Sequence, residues 1–163
     1  MISFLFRHRD RILAAWGLLA IAVFRPPRGW VPSLAFLLAG FSLRLWARAH
    51  IGPHSRGRNL SSPERCTGGP YRWIDHPLYV ANLLVIAGVA LEIAGPEPAA
   101  LVILSGPVVL YALLGRAESR RMDASNPPER STPLPWSERR MASEWASLVP
   151  SLLLWGLLAW WSR

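Results

Sequence analysis

Four residues in one short stretch could do chemistry together: Tyr71, Arg72, His76 and Tyr79. They lie in the run Gly68-Gly69-Pro70-Tyr71-Arg72-Trp73-Ile74-Asp75-His76-Pro77-Leu78-Tyr79, a polar turn leading straight into an apolar segment. The run brings an imidazole, two phenols and a guanidinium to the predicted start of a helix. Backbone N–H groups and the helix dipole at such a start favour anionic groups. At a water–lipid boundary this combination suits a small ligand with a charged head. Capping alone would explain part of it, since Pro is favoured in a first helical turn and Asp75 suits the positive end of the dipole.

Metal chemistry has little support. Cys66 is the single cysteine, which excludes an internal disulfide and a thiolate cluster. The histidines, at 8, 50, 54 and 76, lack zinc-site spacing, and Gly52-Pro53 breaks the helix that would align His50 with His54.

The elements that must carry these residues are membrane helices. Hydrophobic residues make up 52% of the 163 and gather in long runs, the pattern of a polytopic membrane protein. The predicted fold is all-α, with helices at about 12–24, 31–47, 77–94, 98–115 and 146–161. Two helical hairpins form a four-helix core, turning at Pro26-Pro27-Arg28-Gly29 and Gly95-Pro96-Glu97-Pro98, and a fifth hydrophobic segment follows. Residues 12–24 alone reach only ~20 Å at ~1.5 Å per residue, so their flanks must help cross a ~30 Å core. Residues 1–163 read as a single membrane domain.

Net charge is +8, and every basic residue is Arg. The arginines gather before residue 12, in the loop at 50–75 with its lead-in, and in the segment at 116–140. Charge placed between apolar runs orients a membrane protein, so the N-terminus and both polar segments are expected on the cytoplasmic side. No nucleic-acid motif accompanies the charge. The lack of Lys is a GC-rich composition and points to a bacterial inner membrane. Arg44 and Arg48 are expected to snorkel to lipid heads. Asn82 is expected to bond a neighbouring helix. Glu92 falls near the opposite interface.

Gly69-Pro70-Tyr71-Arg72 with His76-Pro77-Leu78-Tyr79 resembles the signature of the isoprenylcysteine carboxyl methyltransferase and phospholipid methyltransferase superfamily. That signature is a Gly-Pro-Tyr-Arg turn, Arg-His-Pro-x-Tyr, one hydrophobic hairpin and an Arg-x-Glu-Glu segment. The hairpin here is 78–115, and Arg116-Ala117-Glu118-Ser119 follows it. The likeness covers roughly residues 40–122. It departs at Asp75, where the signature has Arg, and at Ser119, where it has a second Glu.

The resemblance implies S-adenosylmethionine as methyl donor and a lipid or prenylated acceptor entering from the bilayer. By motif, Tyr71, His76, Pro77, Tyr79 and Glu118 would bind the donor, while Arg72 and Glu118 would serve the transfer. Without the resemblance, Glu118 reads as a solvated partner of Arg121, and Tyr71, Trp73 and Tyr79 as interface anchors. Two other functions fit the same helices. One is a non-catalytic homologue serving as a subunit of a larger membrane complex. The other is a membrane reductase of the sterol-reductase kind using a reduced nicotinamide cofactor.

Overall fold

The computed structural model describes residues 2–24, 31–51, 64–132 and 138–162. Five helices dominate: α1 (Ile2–Val23), α2 (Ser33–Ile51), α3 (Pro77–Ala94), α4 (Pro98–Ser125) and α5 (Glu138–Trp161). The predicted all-α fold is what is observed. The helices α2, α3 and α4 are long and apolar enough to cross a membrane. Many of their large apolar side chains face outward, Leu101, Val102, Val109 and Leu113 of α4 among them. A helix that is apolar all round suits lipid.

Helix ends differ from the sequence expectation where charge was taken for a break. Helix α1 begins at Ile2 rather than near residue 12, because Arg7, Arg9, Asp10 and Arg11 sit comfortably in a helix. Helix α4 runs ten residues past Gly115, since nothing before Asn126-Pro127 forbids it. Asn126 ends it in the left-handed region (φ 41°), its N–H bonded to the Met122 carbonyl at 2.9 Å. Helix α5 starts at Glu138 and carries Pro150 inside. The first turn at Pro26-Pro27-Arg28-Gly29, His54 and the middle of the 50–75 loop lie outside the described residues.

The tightest packing joins α2 to α3, through glycines. A Cβ on Gly40 would stand 2.8 Å from the Ala81 carbonyl, and one on Gly88 would stand 2.9 Å from the Ser33 carbonyl. Close backbone approach of this kind drives helix association in lipid, where apolar burial alone gives no preference. Helix α1 packs on α4. Pro107, inside α4, has no N–H to offer the Ile103 carbonyl, and the Trp16 indole of α1 donates to that carbonyl instead, at 2.7 Å. The same indole lies flat against Gly106.

Glu92 is fully buried at the end of α3 away from the motif. Its Oε2 accepts from Ser33 Oγ at 2.6 Å, and Ser33 Oγ accepts from Trp155 Nε1 at 2.8 Å. This chain of bonds fixes the depth of α5 against α2 and α3. Leu158, one turn on, joins the core formed by Ala20, Ala90, Ile93, Ala94, Ala100 and Ile103.

Candidate functional site

The motif end of the bundle is built by a short 3₁₀ turn, Gly69–Arg72, seated on the end of α2. Gly69 adopts φ +58° directly over His50, where a Cβ would come within 2.4 Å of the imidazole. Only glycine meets both demands. His50 Nδ1 is itself held 3.0 Å from the Trp46 carbonyl. A two-residue parallel pairing, Arg65 with Glu129 and Cys66 with Arg130, ties the approach to the motif to the exit from α4. An Arg65–Asp123 ion pair at 3.1 Å reinforces the tie.

His76 then caps α3 and Pro77, buried, occupies its first turn. Tyr79 is three residues past His76 and Leu83 four further, so they share the face toward α4. On α4, Tyr111, Gly115 and Ser119 repeat every fourth residue and meet that face, with Glu118 beside them. The Tyr79 hydroxyl donates to Glu118 Oε2 at 2.9 Å. His76 Nε2 lies 2.8 Å from Ser119 Oγ, and its Nδ1 lies 3.6 Å from Glu118 Oε2. The rings of His76 and Tyr79 stack at 5.3 Å, and those of Tyr79 and Tyr111 at 5.0 Å. Gly115 makes room for the imidazole, since a Cβ there would be 3.0 Å from His76 Cδ2.

Tyr71 is half-buried, with its hydroxyl turned away from solvent. Burial pushes its phenol well above the ordinary tyrosine range, Cys66 and Glu118 add to the effect, and Arg48 opposes it. Its hydroxyl has no hydrogen-bond partner among the described residues. Such a group costs about 1–3 kcal/mol until something bonds it. Arg48, expected to reach for lipid heads, is instead 4% exposed. Its guanidinium is near enough to the Tyr71 phenol to oppose the effect of burial there. Arg44 likewise bonds Asn82 of α3 rather than snorkelling, and Asn82 thereby makes the interhelical bond expected of it.

A groove of about 610 Å³ opens between α3 and α4. Ile74, Val80, Leu83, Val108 and Ala112 form its apolar part, and His76, Tyr79, Tyr111 and Ser119 its polar floor. Its rim carries Asp75, Arg116, Arg120 and Asp123. The volume suits a small ligand or a lipid headgroup.

His76, Tyr79 and Glu118 therefore meet, Tyr71 adjoins them, and Pro77 sets the helix start. Arg72 does not join them; it is exposed and does not line the groove. Glu118 pairs with Tyr79, not Arg121. Tyr111, Gly115 and Arg120 belong to the site and were not singled out from sequence, and Ser119 was noted only as a departure from the signature. The four-residue repeat from Tyr111 was the available signal. Among the described residues no cluster of three or more His, Cys, Asp or Glu could hold a metal.

The phospholipid methyltransferase family profile matches residues 30–125, which span α2, the motif, α3 and α4 through Glu118 and Ser119. No curated relative and no solved structure matches the chain. The match takes in more than half of the chain and every bonded residue of the site: this is an integral membrane protein belonging to the phospholipid methyltransferase family.

Proposed function

We propose that the chain transfers a methyl group from S-adenosylmethionine to the polar head of a membrane amphiphile, a lipid amine or a prenylated carboxylate, at the motif end of α3 and α4. The observation that carries this is the joined set Tyr79–Glu118–His76–Ser119, flanked by the unsatisfied Tyr71 hydroxyl. When bound, the donor supplies an electrophilic methyl whose carbon–sulfur bonding pair returns to sulfur as the new bond forms.

The residues present fit such a donor. Glu118 has one oxygen committed to Tyr79 and lone pairs left to accept from hydroxyls or an ammonium. The Tyr71 hydroxyl is a buried polar group in need of a partner. The start of α3 is disposed to a carboxylate. Ser119 and Glu118 together hold the imidazole of His76 in one plane. In-line displacement needs alignment more than acid–base help, and positioning can supply ~7–11 kcal/mol. The groove between α3 and α4 gives an acceptor a way in from the lipid. The Arg-rich motif end is proposed to face the cytoplasm of a bacterial inner membrane.

The test is calorimetric binding of S-adenosylmethionine to the purified protein, with His76→Ala and Glu118→Ala alongside. Micromolar binding that both variants lose supports the reading. A folded protein that binds no donor overturns it and favours a non-catalytic subunit of a membrane complex, the reading that the departure at Asp75 supports. The family match favours methyl transfer over reduction.

A further inference from the structure

We propose that residues 126–131 form a strap over the turn that carries Tyr71, and that this strap lifts from Gly68 to let a water-borne ligand reach the Tyr71 hydroxyl. The proposal rests on the methyl-transfer reading for the identity of that ligand, the donor, and on the geometry of the strap for the rest.

The strap grows out of what stops α4. Asn126 takes the left-handed conformation (φ 41°), which turns the chain off the helix. Pro127 and Pro128 follow, and each ring fixes its own φ, so the arm beyond Asn126 is stiff. The arm runs to the motif. The Pro128 carbonyl accepts from the Arg65 N–H at 2.9 Å, Glu129 pairs with Arg65, and Arg130 pairs with Cys66. Ser131 then rests on Gly68, so closely that a Cβ at Gly68 would collide with the Ser131 carbonyl. Gly68 has φ −93° and ψ 161°, values open to any residue. The strap, not the backbone conformation, is what demands glycine there.

Gly68 also begins the 3₁₀ turn, its carbonyl accepting from the Tyr71 N–H at 3.2 Å. Cys66, opposite Arg130, is near enough to the Tyr71 phenol to act on it electrostatically. The Tyr71 hydroxyl is shut away from solvent and has no hydrogen-bond partner among the described residues. Tyr71 does not line the groove between α3 and α4, so the lipid-side opening does not serve it.

A ligand that satisfies this hydroxyl needs another way in, and the strap is the part able to yield. Asn126, Pro128, Glu129 and Ser131 are exposed. A two-residue pairing at the surface, with few buried contacts, opens at low cost. The turn beneath is fixed, with Gly69 seated on His50 and Pro70 buried. The stiff arm therefore swings as one piece about Asn126. Lifting admits the ligand, and closing excludes water from it. The family profile ends at residue 125, so the strap lies outside the matched region.

The experiment locks and props the strap in the purified full chain. Arg130→Cys places a second thiol opposite Cys66, the single cysteine, on strands about 4.8 Å apart, a span that a disulfide bridges. Arg130→Ser controls for loss of the arginine. Gly68→Ala puts a methyl under Ser131 and props the strap open without a crosslink. One readout is acetylation of the Tyr71 hydroxyl by N-acetylimidazole, followed by peptide mass. The other is the association rate of S-adenosylmethionine. An open state populated at ~0.1–10% carries all the access, so the oxidised Arg130→Cys chain should lose about tenfold or more in Tyr71 acetylation. Dithiothreitol should restore it, and Gly68→Ala should raise acetylation about tenfold. Equal acetylation in oxidised and reduced chains, or no rise in Gly68→Ala, overturns the strap. Donor association should follow the same order. Acetylation that follows the strap with no donor binding in any form sinks methyl transfer alone. Donor association at equal rates in locked and reduced chains sinks the strap alone.

Discussion

The Tyr79 hydroxyl donates to Glu118 Oε2 across 2.9 Å, joining the first turn of α3 to the extended end of α4. The bond aims the carboxylate into the bundle end between Tyr79 and Tyr71 instead of out to solvent. Tyr79→Phe keeps the ring stacked on His76 and Tyr111 and removes only the bond. A hydrogen bond to a charged group is worth ~1.5–3 kcal/mol. Donor affinity should fall about tenfold or more by calorimetry, with the thermal midpoint little changed. Unchanged affinity would remove Glu118's orientation from the account.

Ser119 stands where the superfamily signature has a second Glu, and it holds His76 Nε2 at 2.8 Å. With Nδ1 facing Glu118, this bond holds the orientation of the imidazole. Ser119→Ala should leave helicity intact, weaken donor binding severalfold and give a mixed-tautomer signature for His76 in nitrogen NMR. A single unaltered tautomer in the variant would show that Ser119 plays no part.

Tyr71 carries a buried hydroxyl without a hydrogen-bond partner among the described residues, which predicts opposite effects on stability and on binding. Tyr71→Phe should stabilise the empty protein by up to ~1–3 kcal/mol, because an unsatisfied group is removed, while donor affinity falls. The alkaline limit should shift too. The folded phenol ionises later than the unfolded one, whose ordinary value is 10.0. Stability is therefore full below about that pH and declines above it, as the unfolded chain releases a proton the folded chain keeps. The Phe variant should lose part of that decline in thermal unfolding above pH 10.0.

Trp16 bonds the Ile103 carbonyl that Pro107 leaves open. Trp16→Phe should cost ~1–3 kcal/mol, since a buried acceptor is stranded. Pro107→Ala supplies an N–H inside α4 and should cushion that loss. The double variant should be less destabilised than the sum of the two single changes. Strict additivity in thermal or denaturant unfolding would show that the indole and the proline are independent.

Much of this protein was legible in its sequence. Apolar runs of membrane length specified the helices, because each run must satisfy its backbone internally to enter lipid. The stretch from Gly69 to Tyr79 and the position of Glu118 beyond the hairpin were visible as a signature, since both depend on local order and on one helical hairpin's length. Helix ends were read less well. Charge at residues 7–11 and 116–125 looked like loop, yet charged side chains are good helix residues, and only Asn126 with Pro127 stops α4.

The tertiary structure alone decided which polar groups meet. That Arg48 is buried, that Ser119 meets His76, and that Trp16 completes Pro107 all depend on residues far apart in the chain. Sequence spacing determines which residues share a helix face. The angle and depth at which two faces meet come from close backbone approach at Gly40 and Gly88 and from the Trp155–Ser33–Glu92 bonds. In lipid every apolar face is equally content, so these few contacts select the arrangement and, with it, the site.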